Sequence, residues 1–173
     1  MSDPPSDPTW LTRPDGLRLA VRHDAGQAPC IVFLHGLMSH MEGEKARFLA
    51  GHARARGWEY LRLDLSGHGR SEGAFAACTI SQWRDDVLLA LDRLTAEPVI
   101  LVGSSIGGWI ALLVALARPG RVAGLLLIAP APDMTRRVAR ALPHEAREAL
   151  RRDGVWLRPS RYGEAIPITQ HAR

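Results

Sequence analysis

Apolar positions along this chain fall into two kinds of pattern. CIVFLH (Cys30–His35), PVILVG (Pro98–Gly103) and VAGLLLIAP (Val122–Pro130) are nearly unbroken apolar runs, as expected of strands buried on both faces of a parallel sheet. EYLRLDL (Glu59–Leu65) reads as a further strand, and GLRLAVRHD, which alternates at its start, as an edge strand. Between them the apolar residues recur at helical spacing. Helices are predicted over Glu42–Arg56, stopped by Gly57, over Thr79–Ala96, and over Ile106–Ala117, the last one buried. Strand and helix alternate four times. That alternation predicts an α/β fold, an open and mostly parallel sheet with helices on both faces.

From Ala131 the pattern changes to short Arg-rich helices (Thr135–Leu142, Pro143–Arg152) and a tail punctuated by proline and glycine. Three segments are expected: a loose N-terminus over 1–12, an α/β core over 13–130, and a cap over 131–173. At 173 residues the chain is one domain's worth. No apolar run reaches the roughly 20 residues of a membrane span. The acidic, proline-rich MSDPPSDPTW lacks the basic and apolar regions of a secretory signal, which predicts a cytoplasmic protein.

Charge changes the picture only at the C-terminal end. Residues 131–173 hold nine basic and five acidic side chains, and so carry the whole net charge of +4. An Arg-rich helix face is most often a solvated face, though it could steer an anionic substrate. Without aromatic interleaving or a recognisable module, nucleic-acid binding is not expected. Cys30 and Cys78 are the only cysteines; they read as buried free thiols, and no Cys/His spacing suggests a metal site.

The candidate chemistry lies in Gly103-Ser104-Ser105-Ile106-Gly107, a G-x-S-x-G motif with a strand before it and a helix after it. Small residues two before and two after Ser105 let the strand and helix close on a strained turn that presents the hydroxyl. Ser104 would need small residues at Val102 and Ile106, so Ser105 is the candidate nucleophile. An attacked carbonyl develops negative charge on oxygen, and backbone N–H donors must already face it. Ile106, just after the nucleophile, supplies one donor. The loop after the first buried strand supplies the other, and Leu37 is the candidate, with Gly36 allowing close approach. His35 and His68 read as loop-holding residues rather than bases, and Asp64 as the anchor of the turn after its strand.

Taken together, APCIVFLHGLMSHMEGEKA, LDLSGHGRSEG, ISQWRDDVLLALDRL, ILVGSSIGGWIALLVALARPGRV and GVWLRPSRY resemble the α/β-hydrolase superfamily. Within it they resemble the branch containing the mitochondrial palmitoyl-protein thioesterase, an acyl-glucuronide esterase, and its bacterial relatives. The resemblance runs from about Pro29 to Thr169. It implies cleavage of acyl esters or thioesters through an acyl-serine, without metal or cofactor. It also implies Ser105 as nucleophile and Leu37 and Ile106 as oxyanion donors. Met38, Met41 and Trp109 suggest an apolar acyl tail.

The family order is serine, acid, histidine, with the acid and histidine after later strands. No such strands are expected before ITQHAR, and His171, with no strand to place it, is not a credible substitute. A chain without triad acid and histidine is expected to be nearly inactive. The segment could be a fragment or a frameshift product. The alternative is a non-catalytic short form that binds an acyl ligand or partner chain. A dehalogenase-like chemistry is disfavoured, because it would place Asp at the elbow. VAGLLLIAP, with nothing beside it, would leave an apolar edge open to self-association.

Overall fold

The structure is a computed structural model that describes residues 7–160 and 163–169. Its main sheet has six strands: β1 (Thr9–Thr12), β2 (Arg18–Asp24), β3 (Gln27–Leu34), β4 (Trp58–Leu63), β5 (Val99–Ser104) and β6 (Val122–Ile128). They lie in the order β1-β2-β4-β3-β5-β6. β4, β3, β5 and β6 run parallel, and β2 runs antiparallel to both β1 and β4. The expected α/β-hydrolase sheet, mostly parallel with helices on both faces, is the observed one.

Helix α1 (Glu44–Arg56) covers one face. Ala46, Ala50 and Ala53 let it approach Phe33, Tyr60 and Val102 closely, and the Tyr60 hydroxyl donates to the Ala46 carbonyl at 2.8 Å. It ends where expected, at Gly57 in the left-handed region (φ 67°), whose N–H caps the last turn. Helices α2 (Ile80–Leu94) and α3 (Ile106–Ala117) cover the other face, against Val21, Val32, Leu61, Leu63 and Leu101. Thr79 caps α2 by accepting from the Gln82 N–H at 3.2 Å. The far end of α2 is closed by Arg121, whose guanidinium donates to the Leu91 and Thr95 carbonyls at 3.2 and 2.8 Å.

Beyond β6 come α4 (Met134–Ala141), α5 (His144–Asp153) and an antiparallel hairpin of β7 (Val155–Ser160) and β8 (Gly163–Thr169). The hairpin corrects the expectation of an irregular tail. Pro159 and Pro167 made it read as loop, but a two-stranded sheet has only edges, where a missing N–H is tolerated. A strand therefore does precede His171, which itself lies outside the described residues, as does Tyr162.

Three further expectations are corrected. Thr9–Thr12 are not loose: they pair with Arg18–Val21. β2 is consequently not an edge, and Leu19, Ala20 and Val21 are fully buried. β6 is not a buried strand. Its place at the sheet's edge is the one expected of a strand with nothing beside it, but no residue of it is buried, and Leu125 and Leu126, on opposite faces, are 40% and 53% exposed.

Core and surface leucines should separate cleanly in urea denaturation. Leu61→Ala, at a fully buried site, is expected to cost about 2–5 kcal/mol. Leu116→Ala, at a site 80% exposed, is expected to change stability by no more than about 0.5 kcal/mol.

Candidate active site

Ser105 sits where β5 ends and α3 begins, at φ 55° and ψ −117°. A non-glycine residue at positive φ costs of order 1–3 kcal/mol and persists only where its surroundings hold it. Here they do. The Ser105 N–H donates to the Ile128 carbonyl at 2.9 Å, and its carbonyl accepts from Gly108 and Ala131, both at 3.0 Å. The flanking glycines answer to space rather than dihedral angle. A Cβ on Gly103 would collide with the backbone of Gly107 and Gly108, and one on Gly107 with the Leu34 and His35 carbonyls. The first turn of α3 thus lies directly on the ends of β5 and β3.

The loop after β3 lies beside Ser105. A Cβ on Gly36 would stand 3.5 Å from the Ser105 Cβ, an ordinary contact, so Leu37 follows directly on a backbone in van der Waals reach of the serine. Ile106, buried as the first residue of α3, has no intrahelical acceptor for its N–H. Ser104 borders a cavity of about 70 Å³ that Phe33, His35, Gly36, His40 and Lys45 also line.

Two buried polar side chains tie this loop to the one after β4. Asp64 accepts from the Met41 N–H at 2.6 Å and from the Arg70 N–H at 2.8 Å. Its carboxylate occupies the space that a Cβ on Gly69 would need, and Gly69 has φ 51°. His35 places Nδ1 2.8 Å from the Gly36 carbonyl and takes the Leu65 N–H on Nε2 at 3.1 Å. One nitrogen donates and the other accepts, which is the neutral ring; burial pushes its pKa down to about 4. Both nitrogens are committed, so His35 has none left to serve Ser105.

His68 holds the second loop, with Nδ1 3.2 Å from the Ser66 carbonyl and its ring against His35, Phe75 and Trp83. Burial and the neighbouring His35 lower its pKa to about 4. The sequence reading missed Asp86, which accepts from the Ser66 N–H at 2.8 Å and faces Arg13 at 3.3 Å. Burial raises its pKa. An acidic residue on the apolar face of α2, one turn after Trp83, was the available signal. Among the described residues no imidazole or carboxylate hydrogen-bonds to the Ser105 hydroxyl.

Met41 is fully buried core rather than pocket lining, while Met38 is exposed and Trp109 packs against the core. The segment beyond β6 borders a separate groove of about 400 Å³ between α4 and β7, lined by Met134, Val138, Leu142, Trp156, Arg137 and Arg158.

Residues 27–172 match the family model Hydrolase_4, described as serine aminopeptidase, S33. The chain belongs to this α/β-hydrolase family. It is 40% identical over 156 residues to the mitochondrial palmitoyl-protein thioesterase ABHD10 of Bos taurus, covering 90% of this chain and 51% of that protein. The structure of mouse alpha/beta hydrolase domain-containing protein 10 superposes with a TM-score of 0.83 at 39% identity, over 94% of this chain and 66% of that one. A putative hydrolase from Agrobacterium vitis S4 gives 0.90 at 33% identity, over 98% and 70%. The chain therefore spans about half the length of the curated relatives it matches.

The relatives correct the cytoplasmic expectation, because ABHD10 is named mitochondrial in Bos taurus, Mus musculus and Homo sapiens. The composition of ten N-terminal residues carries too little to set a compartment.

The buried histidines make stability depend on pH. Each has a folded pKa of about 4 against about 6.5 unfolded. The unfolded chain therefore binds more protons between those values, and stability is lost as pH falls from about 6.5 to 4. Unfolding free energies from urea denaturation at pH 7 and pH 5 are expected to differ by about 3–4 kcal/mol. The difference should shrink in His68→Gln.

Proposed function

We propose that the chain carries the nucleophilic half of a serine hydrolase for acyl esters or thioesters, with Ser105 as nucleophile. The observation that supports this reading is the strained conformation of Ser105 at the elbow, with the Gly36 loop in contact beside it. In the reaction, Ser105 Oγ attacks the acyl carbon, the alcohol or thiol departs with a proton, and water then releases the acid and restores the hydroxyl. Leu37 and Ile106 are proposed as the N–H donors to the oxyanion, a role worth about 10²–10³ in rate per donor. The cap groove, apolar but walled by Arg137 and Arg158, suits an acyl chain with an anionic neighbour.

The 173-residue chain is proposed to work far below esterase rates. A serine hydroxyl needs a base within hydrogen-bond reach, and among the described residues none stands there. The site and binding alone leave roughly 10³–10⁴ over water. A fluorophosphonate probe read by intact mass tests both points. Slow labelling is expected, lost in Ser105→Ala and kept in Ser104→Ala. Labelling that survives Ser105→Ala would remove the nucleophile assignment, and rapid stoichiometric labelling would show that a base reaches Ser105.

We also propose that the open β6 edge pairs with a second chain. Its unpaired backbone groups and the exposed Leu125 and Leu126 form an edge without the charges or prolines that normally block strand addition. Light scattering is expected to give a mass above the monomer, shifting toward the monomer in Leu126→Lys. A wild-type monomer at all concentrations would contradict it.

A further inference from the structure

The sequence suggests no metal site, because the residues concerned are far apart along the chain. Strand register brings them together. β2 and β4 pair His23 with Leu61, and β4 and β3 pair Tyr60 with Ile31. Glu59 and Cys30 are one step earlier on their strands, so His23, Glu59 and Cys30 share the sheet face that carries Val21, Leu61 and Val32. One ligand atom from each, an imidazole nitrogen, a carboxylate oxygen and a thiol sulfur, lie within 4.8 Å of one another. His23 Nε2 is 2.6 Å from Glu59 Oε1.

We propose that His23, Cys30 and Glu59 bind one divalent cation of the zinc class. The cluster lies at the opposite end of the strands from Ser105. Cys30 is level with Val99 by the Ile31–Ile100 pairing, roughly 20 Å along the strands from Ser105 at about 3.3 Å per residue. The proposal is therefore independent of the hydrolase chemistry.

The donor set selects the metal. Nitrogen, sulfur and carboxylate oxygen together suit zinc, whereas magnesium and calcium take oxygen alone. Bonds of about 2.0–2.3 Å in a tetrahedron hold ligand atoms roughly 3.4 Å apart, so the three must adjust by about 1 Å. Three different strands of one sheet fix the Cα positions, leaving that adjustment to side-chain torsions. Cys30 is 2% exposed, but the His23 and Glu59 side chains are 25% and 19% exposed. Solvent therefore reaches the cluster from one side, which is where a water would take the fourth position.

On binding, the Cys30 thiol proton is released to solvent as a sulfur–metal bond forms, and Glu59 then faces a positive neighbour.

Cobalt(II) is the test probe, because thiolate coordination produces charge-transfer absorption and tetrahedral geometry produces intense visible bands. Titration of the purified full chain is expected to saturate at one equivalent. Zinc should bleach both signals. Cys78→Ser should leave them intact, and Cys30→Ser should abolish the charge-transfer band. His23→Gln, at a partly exposed position less demanding of the fold, should weaken cobalt binding by about 10–100-fold or more, since even outer partners of metal ligands are worth that much. Circular dichroism checks that each variant folds. No thiolate band in the wild type, or a band that persists in Cys30→Ser and vanishes in Cys78→Ser, would overturn the site. Unchanged affinity in a folded His23→Gln would overturn it as well.

Discussion

The structure turns on how closely the start of α3 approaches the ends of β5 and β3. Gly103 and Gly107 leave no room for a side chain on either surface, and this contact forces the chain to reverse within one residue. Ser105 absorbs the reversal at φ 55°. The end of β6 then locks it, because the Ile128 carbonyl accepts its N–H and Ala131 donates back to its carbonyl. Four elements meet at one serine. Its strain is sustained by ordinary backbone hydrogen bonds from a strand that is otherwise exposed.

Around that point the polar interior is arranged to hold loops. Asp64 and His35 each bond to backbone belonging to two loops, and Asp86 holds Ser66 from beneath. These groups give up solvation, which is why His35 and His68 resist protonation. In return they satisfy loop N–H and carbonyl groups that would otherwise be buried unpaired. The fold thus spends its polar residues on positioning Gly36 and Leu37 against the elbow.

Much of this was legible in the sequence. The runs at Cys30–His35 and Val99–Gly103 are apolar without interruption, so their strands announce themselves, and the glycine spacing distinguishes Ser105 from Ser104. The Gly57 stop and the loop-holding roles of His35, His68 and Asp64 were equally readable. What failed has common causes. TWLT is too short and too exposed to show a period, and Pro159 and Pro167 hid the hairpin by looking like loop. VAGLLLI stands at the open edge expected of it, but its interior-strand composition hid how exposed both its faces are. Composition records which faces suit burial, and the neighbours decide whether burial happens. The grouping of His23, Cys30 and Glu59 depends wholly on register, which no local spacing encodes.

The shared carboxylate of Asp64 also bears on how this fold can diversify. Loops accept insertions where their backbone makes few bonds to the rest of the molecule. The segments after β3 and β4 are fastened to one another through a single side chain, and Gly69 is pressed against it. Lengthening either one would break the fastening of both. Insertions are therefore expected to be better tolerated past β6, among α4, α5 and the hairpin, than in the loops beside Ser105.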